Sequence, residues 1–398
     1  MAALRYGIVT YKDARVGTLR ESPGGGTVFA YDEGVTAPIA CALPIARREH
    51  ATPFGLHPFF AHLAPEGWLR DRQTAFAEIG KDDDFGILLA FGADCIGAVG
   101  VVDPDDSHRR VALKPARDPL DAAAVAVERT ISGVQAKVLC APNGKGGFRP
   151  ARAGEAAPLI AKYPQPPLFD MVANEATSLE LCRILLGVSD VAAADLAVVE
   201  GIDGVALVVE RFDRSGPGRR DKLRCEEFAQ VVAQPPGLDL RGKYDVGYDA
   251  LGRALAHSSA RLLDARRLFK RLAAYVLVGN VDCHLKNFSL IETAEGLRLS
   301  PAYDVLNGYI YGDAGYTTRF GLTIDGQRRQ WQDYDRALLL AIADEIGLPR
   351  KAAEGVLREL AGRAAAFERR LGEALRLGEE RAWSYRNAAR EAWERIHG

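Results

Sequence analysis

Residues Gly279–Leu290 read GNVDCHLKNFSL and place an aspartate, a histidine, a lysine and an asparagine within six positions. The run before them, LFKRLAAYVLV, has the apolar spacing of a buried helix, which Gly279 ends; Phe288, Leu290 and Ile291 then resume as a strand. A polar cluster between two buried elements predicts a loop that the fold presents to something outside it. Further on, after a strand and a turn, SPAYDVLN supplies Asp304. Phosphoryl transfer asks for such a set. One carboxylate orients the attacking hydroxyl, while an amide and a second carboxylate hold Mg²⁺ against the phosphates. On that reading Asp282 is the base, and Asn287 and Asp304 are the metal ligands. The D-x-x-x-x-N spacing alone is common. Its plainer reading has Asp282 capping a turn, His284 hydrogen-bonded locally and Asn287 in an Asx-turn.

The order of the upstream parts adds weight. Lys162 stands in LIAKYP as a lone lysine in an apolar strand. It is either an edge lysine reaching to water or a strand lysine that pairs ATP phosphates. Glu175, in the first turn of the next expected helix, either steadies that lysine or favours the helix dipole. ISGVQAKV brings Ser132, Gly133, Val134, Gln135 and Lys137 into a glycine-bearing loop before a strand, suited to covering phosphates through backbone N–H groups. VVERFDR (Val208–Arg214) leaves a strand where two lobes would meet, offering Glu210 and Phe212 to an adenine ring; Asp213 and Arg214 read as structural.

The bulk composition sets the frame. With 398 residues, 48% hydrophobic and 26% charged, the chain can build two or three domains with large cores. A net charge of −2 disfavours nucleic-acid binding by the chain alone. Cys41, Cys95, Cys140, Cys182, Cys225 and Cys283 are scattered singly, which suggests neither zinc nor a disulfide framework. The N-terminal MAALRYGIVTYKDARVG is charged too early for a signal peptide, and no apolar run approaches the ~18 residues of a membrane span. The expectation is a reduced, cytoplasmic protein.

Residues 1–104 read as a β-rich subdomain: YGIVTY, VGTLRE and TVFAY as strands, HPFFAHLAPEGWLRDRQ as helical, and FGILLAFGADCIGAVGVV as an apolar hairpin. Residues 105–214 read as a β-rich lobe with the phosphate loop and hinge. Within it, NEATSLELCRILLGV is an amphipathic helix ended by Gly187. Residues 215–398 read as a helical lobe carrying the polar loop, its last sixty residues laced with Glu/Arg pairs on a solvated helix face. The fold class expected is α+β, two-lobed and protein-kinase-like.

With these residues in place, the chain resembles the HipA toxin kinases, the serine/threonine kinases of type II toxin–antitoxin modules. FAHLAPEGWLRDR, FGILLAFGADCIGAV, TISGVQAKV, LIAKYP, NEATSLELCR, VERFDR, GNVDCHLKNFSL and SPAYDVLN carry the resemblance nearly end to end. It implies Asp282 as catalytic aspartate, Asn287 and Asp304 as Mg²⁺ ligands, and Lys162 as the ATP-phosphate lysine. Ser132, Gly133, Val134, Gln135 and Lys137 would belong to the phosphate loop, and Glu210 and Phe212 would line the adenine site. His284 and Lys286 would shape the nucleotide site. Thr130-Ile131-Ser132 falls where members carry an autophosphorylated serine, and a dianion there would repel a bound triphosphate. The resemblance also implies a HipB-like helix-turn-helix antitoxin dimer that makes most operator contacts, and an aminoacyl-tRNA synthetase as the protein substrate. Two rivals stay open. One is an inactive kinase-fold scaffold that bridges antitoxin and DNA. The other, disfavoured for want of ligands, is a phosphohydrolase built on Asp282, His284 and Asp304.

Overall fold

A computed structural model describes residues 4–105, 118–125, 129–131, 133–237 and 240–398. They form two compact units, one of residues 1–165 and 197–236, the other of residues 166–196 and 237–398.

The first unit contains two five-stranded sheets, each over its own apolar cluster. Strands β1 (Tyr6–Tyr11), β2 (Ala14–Ser22), β3 (Gly26–Tyr31), β4 (Glu49–Thr52) and β5 (Val99–Val102) form a sheet in the order β4-β3-β2-β1-β5. Leu19, Phe29, Phe60, Leu88 and Val101 fill its core. FGILLAF is a helix, Asp84–Phe91, and not the first arm of a hairpin. Asp83 caps it by accepting from Gly86 N, and every side chain from Phe85 to Leu89 is buried. A short, uniformly apolar run has no period that separates helix from strand, so the cap decides. The segment HPFFAHLAPEGWLRDRQ breaks into a turn of helix at Pro58–Ala61 and a longer one at Gly67–Ala77.

In the second sheet, Phe148–Pro150, Lys137–Pro142, Leu159–Lys162 and Ala206–Glu210 lie side by side in that order. Val138, Cys140, Ala161 and Val208 are in its core.

The second unit is mostly helical. Helix Met171–Leu186 ends at Gly187 (φ 106°). Eleven of its sixteen residues are buried, with Ala173, Glu180, Arg183 and Ile184 half-exposed, and partners satisfy its buried polar groups. Asn174 Nδ2 donates to Asn307 O and to the Tyr311 hydroxyl, both at 3.0 Å, and Ser178 pairs with the Tyr385 hydroxyl at 2.8 Å. Tyr385 comes from helix Glu379–His397, whose inner face carries Ala382, Ala389, Ala392 and Ile396 at three and four spacing. The central helix, Arg261–Leu277, is buried from Leu268 onward.

Candidate functional site

Past that helix the chain turns at Gly279 (φ 71°), where a Cβ would lie 2.5 Å from Asn307 Oδ1, so a side chain there would be strained and would displace the Asn307 amide. From Leu268 to Ile291, Asp282 alone is not buried. Asn280, Cys283, His284, Lys286 and Asn287 are all enclosed. The loop is held from several sides. Gly321 N donates to Val281 O (3.2 Å), Leu285 N to Lys243 O (3.3 Å), and the Tyr303 hydroxyl to Lys286 O (2.9 Å). A 3₁₀ turn, Leu285–Asn287, follows, and Asn287 Nδ2 donates to Asp282 O at 2.5 Å. That bond uses the amide nitrogen of Asn287 and turns its oxygen away for another partner.

The hairpin Ser289–Thr293/Gly296–Leu299 then carries the chain to Asp304. Asp304 is half-buried and adopts φ 56°, a left-handed conformation that costs a non-glycine residue and recurs at functional sites. Both flanking residues are anchored, Val305 in the core and Tyr303 through its hydroxyl to Ser289 Oγ (2.5 Å).

Two residues that the spacing argument missed complete this region. The Tyr244 hydroxyl donates to Asp282 Oδ1, and its ring meets His284 edge-on with centroids 4.8 Å apart. The Arg328 guanidinium lies 4.4 Å from the Tyr244 ring centroid. His284 Nε2 is 3.9 Å from Asp282 Oδ1, too far for a hydrogen bond. Tyr244 lies 38 residues upstream of Asp282, and its only sequence signal is an aromatic residue inside the polar stretch RGKYD.

In the first unit, Lys162 and Lys137 are register partners on adjacent strands, and both are buried. Their side chains therefore stand on one face of the sheet. The loop before Lys137 crosses its ammonium: Gly133 has φ 98°, and a Cβ there would lie 2.4 Å from Lys137 Nζ. Gln135 Nε2 donates to Tyr163 O (3.0 Å), and Trp68 N donates to Val134 O (3.2 Å), leaving the Val134 side chain 58% exposed. Thr130 is buried; its hydroxyl donates to Leu63 O at 2.8 Å. Ser132 lies outside the described residues.

Glu210 is ion-paired with Arg219, and Phe212 is half-buried. Asp213 and Arg214 are buried in an ionic cluster with Arg211, Asp94 and Arg129. Glu175, in the second unit, is enclosed within its helix.

Among the described residues no three His, Cys, Asp or Glu side chains converge as a metal cage. Mg²⁺ held through nucleotide phosphates needs only one or two protein ligands, and the Asn287 oxygen and the Asp304 carboxylate have the right chemistry.

An α+β chain with a β-rich unit bearing paired lysines and a helical unit presenting one aspartate has a kinase-like fold. The chain belongs to the HipA family: the HipA-like C-terminal domain matches residues 129–367, and the HipA N-terminal domain matches residues 7–102. The Sinorhizobium fredii protein Y4dM is 30% identical over 354 residues, which cover 79% of this chain and 82% of that one. The serine/threonine-protein kinase toxin HipA of Shewanella oneidensis is 25% identical over 319 residues, covering 73% of this chain and 71% of the toxin. The fold matches HipA of Shewanella oneidensis MR-1, solved in a complex with HipB and its operator DNA. The TM-score is 0.73 at 20% identity, over 98% of this chain and 97% of that one.

Proposed function

We propose that the chain is an ATP- and Mg²⁺-dependent serine/threonine protein kinase and the toxin of a toxin–antitoxin pair. The observation that carries this reading is the solitary exposure of Asp282 in an otherwise buried stretch, with Asn287 bonded to its backbone carbonyl. Asp282 orients a protein hydroxyl and receives its proton as the hydroxyl oxygen bonds to the γ-phosphorus of ATP and the bond to the β,γ-bridging oxygen breaks. Lys162, Lys137 and the loop through Gly133, Val134 and Gln135 hold the phosphates. Glu210 and Phe212 border the adenine, and His284 and Lys286 shape the nucleotide site. Bound Mg²⁺, held by Asn287 and Asp304, supplies neutralisation of phosphate charge.

In this reading the protein substrate is an aminoacyl-tRNA synthetase, whose phosphorylation halts translation. The partner is a HipB-like dimer, by analogy with the assembly of the Shewanella protein. The protein acts in the cytoplasm; among the described residues no helix is long and apolar enough to cross a membrane. The organisation is a subdomain of residues 1–104, a lobe of residues 105–214 and a helical lobe of residues 215–398.

The kinase also phosphorylates its own loop at Thr130 or Ser132. Because the Thr130 hydroxyl is buried against Leu63, modification of Thr130 requires that residue to leave its seat first. Incubation with Mg·ATP should add one phosphoryl group to a peptide spanning residues 129–137, and Asp282→Asn should add none. Equal labelling of both proteins would refute the reading.

A second test addresses nucleotide binding. Lys162→Met should weaken ATP binding about 10- to 100-fold by calorimetry, the equivalent of one charge-assisted bond. Unchanged affinity would remove Lys162 from the site.

A further inference from the structure

We infer that Tyr244 is a positioning residue for phosphoryl transfer, fixing Asp282 so that Oδ2 is the oxygen that meets the substrate hydroxyl. This rests on the kinase reading and adds to it the device that aims the base. Asp282 projects from a buried loop, with its side chain 46% exposed. A carboxylate so placed rotates freely about its two side-chain bonds unless something holds it. The Tyr244 hydroxyl holds it by donating to Oδ1. Oδ2 accepts no hydrogen bond among the described residues. A phenol hydroxyl is a suitable restraint, since it donates one proton to the ionised form and brings no charge that would compete with substrate or Mg²⁺.

Tyr244 is itself fixed. The His284 ring packs edge-on against one part of it, and the Arg328 guanidinium covers another. Arg328 is not a loose surface arginine. Its Nε donates to Gly321 O (2.8 Å) and its terminal nitrogen to Arg319 O (2.7 Å), which ties it to the hairpin Arg319–Ile324/Gln327–Gln330. That hairpin also binds the catalytic loop, through Gly321 N to Val281 O. The adjoining backbone contributes as well, since Lys243 O accepts from Leu285 N and Val246 O from Thr323 N (2.9 Å). The segment 243–246, the hairpin and the loop thus hold one another, and among the described residues it is the Tyr244 hydroxyl that bonds the Asp282 carboxylate from that set.

The test is Tyr244→Phe, which keeps the ring on His284 and under Arg328 and removes only the hydroxyl. Turnover on a protein substrate should fall about 10- to 100-fold, the cost of a misaimed reacting group, while ATP affinity and melting temperature stay at wild-type values. Loss of ATP affinity or melting temperature in step with turnover would overturn the assignment and make Tyr244 merely structural. So would unchanged turnover. A crystal structure of Tyr244→Phe gives a reading that does not need activity: the Asp282 carboxylate should occupy more than one rotamer. A single rotamer as in the parent protein would refute the positioning role. If the parent protein transfers no phosphoryl group, the kinase reading fails, and this structure alone decides whether Tyr244 orients Asp282.

Discussion

Asp282→Asn should lower phosphoryl transfer about 10²- to 10⁴-fold, the range that a positioned general base contributes, with fold and ATP affinity unchanged. The replacement has the same shape, and its amide oxygen can still accept from the Tyr244 hydroxyl that now reaches Asp282 Oδ1. The backbone carbonyl of residue 282, which holds Asn287, is untouched. The side chain is half-exposed, so no buried charge is left unpaired and unfolding should barely shift. What is lost is the acceptor for the substrate proton. Turnover with a saturating protein substrate, measured beside nucleotide calorimetry and a melting curve, separates these effects. Full turnover in Asp282→Asn would sink the kinase assignment; lost turnover with lost ATP affinity would mean that the substitution had damaged the loop.

The loop containing Asp282 was legible because its polar residues, separated only by Cys283 and Leu285, are bounded by apolar runs whose period is clear. The strands around Lys137 and Lys162 were legible for the same reason, since VLCA and LIA alternate with nothing that breaks a sheet. FGILLAF reads as a hairpin arm because a wholly apolar run carries no face, and the signal for a helix is the Asp83 cap three residues before Gly86. The burial of helix Met171–Leu186 was hidden because it depends on Tyr311, Asn307 and Tyr385, which lie more than a hundred residues downstream. Tyr244 was hidden by the same kind of distance. A hydrogen bond across 38 positions leaves no periodic trace.

The other large effect should come from the first unit, where Asp213→Ala is expected to destabilise the fold by about 3–5 kcal/mol, the cost of removing one partner from a buried ion pair. Asp213 is 3% exposed. Its carboxylate receives Arg211 Nε (3.0 Å) and terminal nitrogen (2.8 Å), Arg214 (2.7 Å) and Gly97 N (2.8 Å). Arg214 also binds Asp94 at 2.7 Å, and Asp94 binds Arg129 at 2.9 Å. Without Asp213, Arg211 keeps only carbonyl partners, on Cys95 and Ala157. The cluster joins the segment before β5 to the end of strand Ala206–Glu210, so its loss should loosen one sheet from the other.

The pH dependence of that stability has a definite sign. Burial alone would raise the carboxyl pKa, but Arg211 and Arg214 outweigh it and bring it from 3.8 to about 2. A group whose folded pKa is depressed stabilises above its unfolded pKa, and that contribution, about 2 kcal/mol, disappears as pH falls from 3.8 toward 2. Denaturant unfolding should therefore show Asp213→Asn much weaker than the parent protein at pH 7, with the difference narrowing through that acid window. A difference below about 1 kcal/mol at pH 7 would mean that the remaining carboxylate, Asp94, suffices to neutralise the arginines.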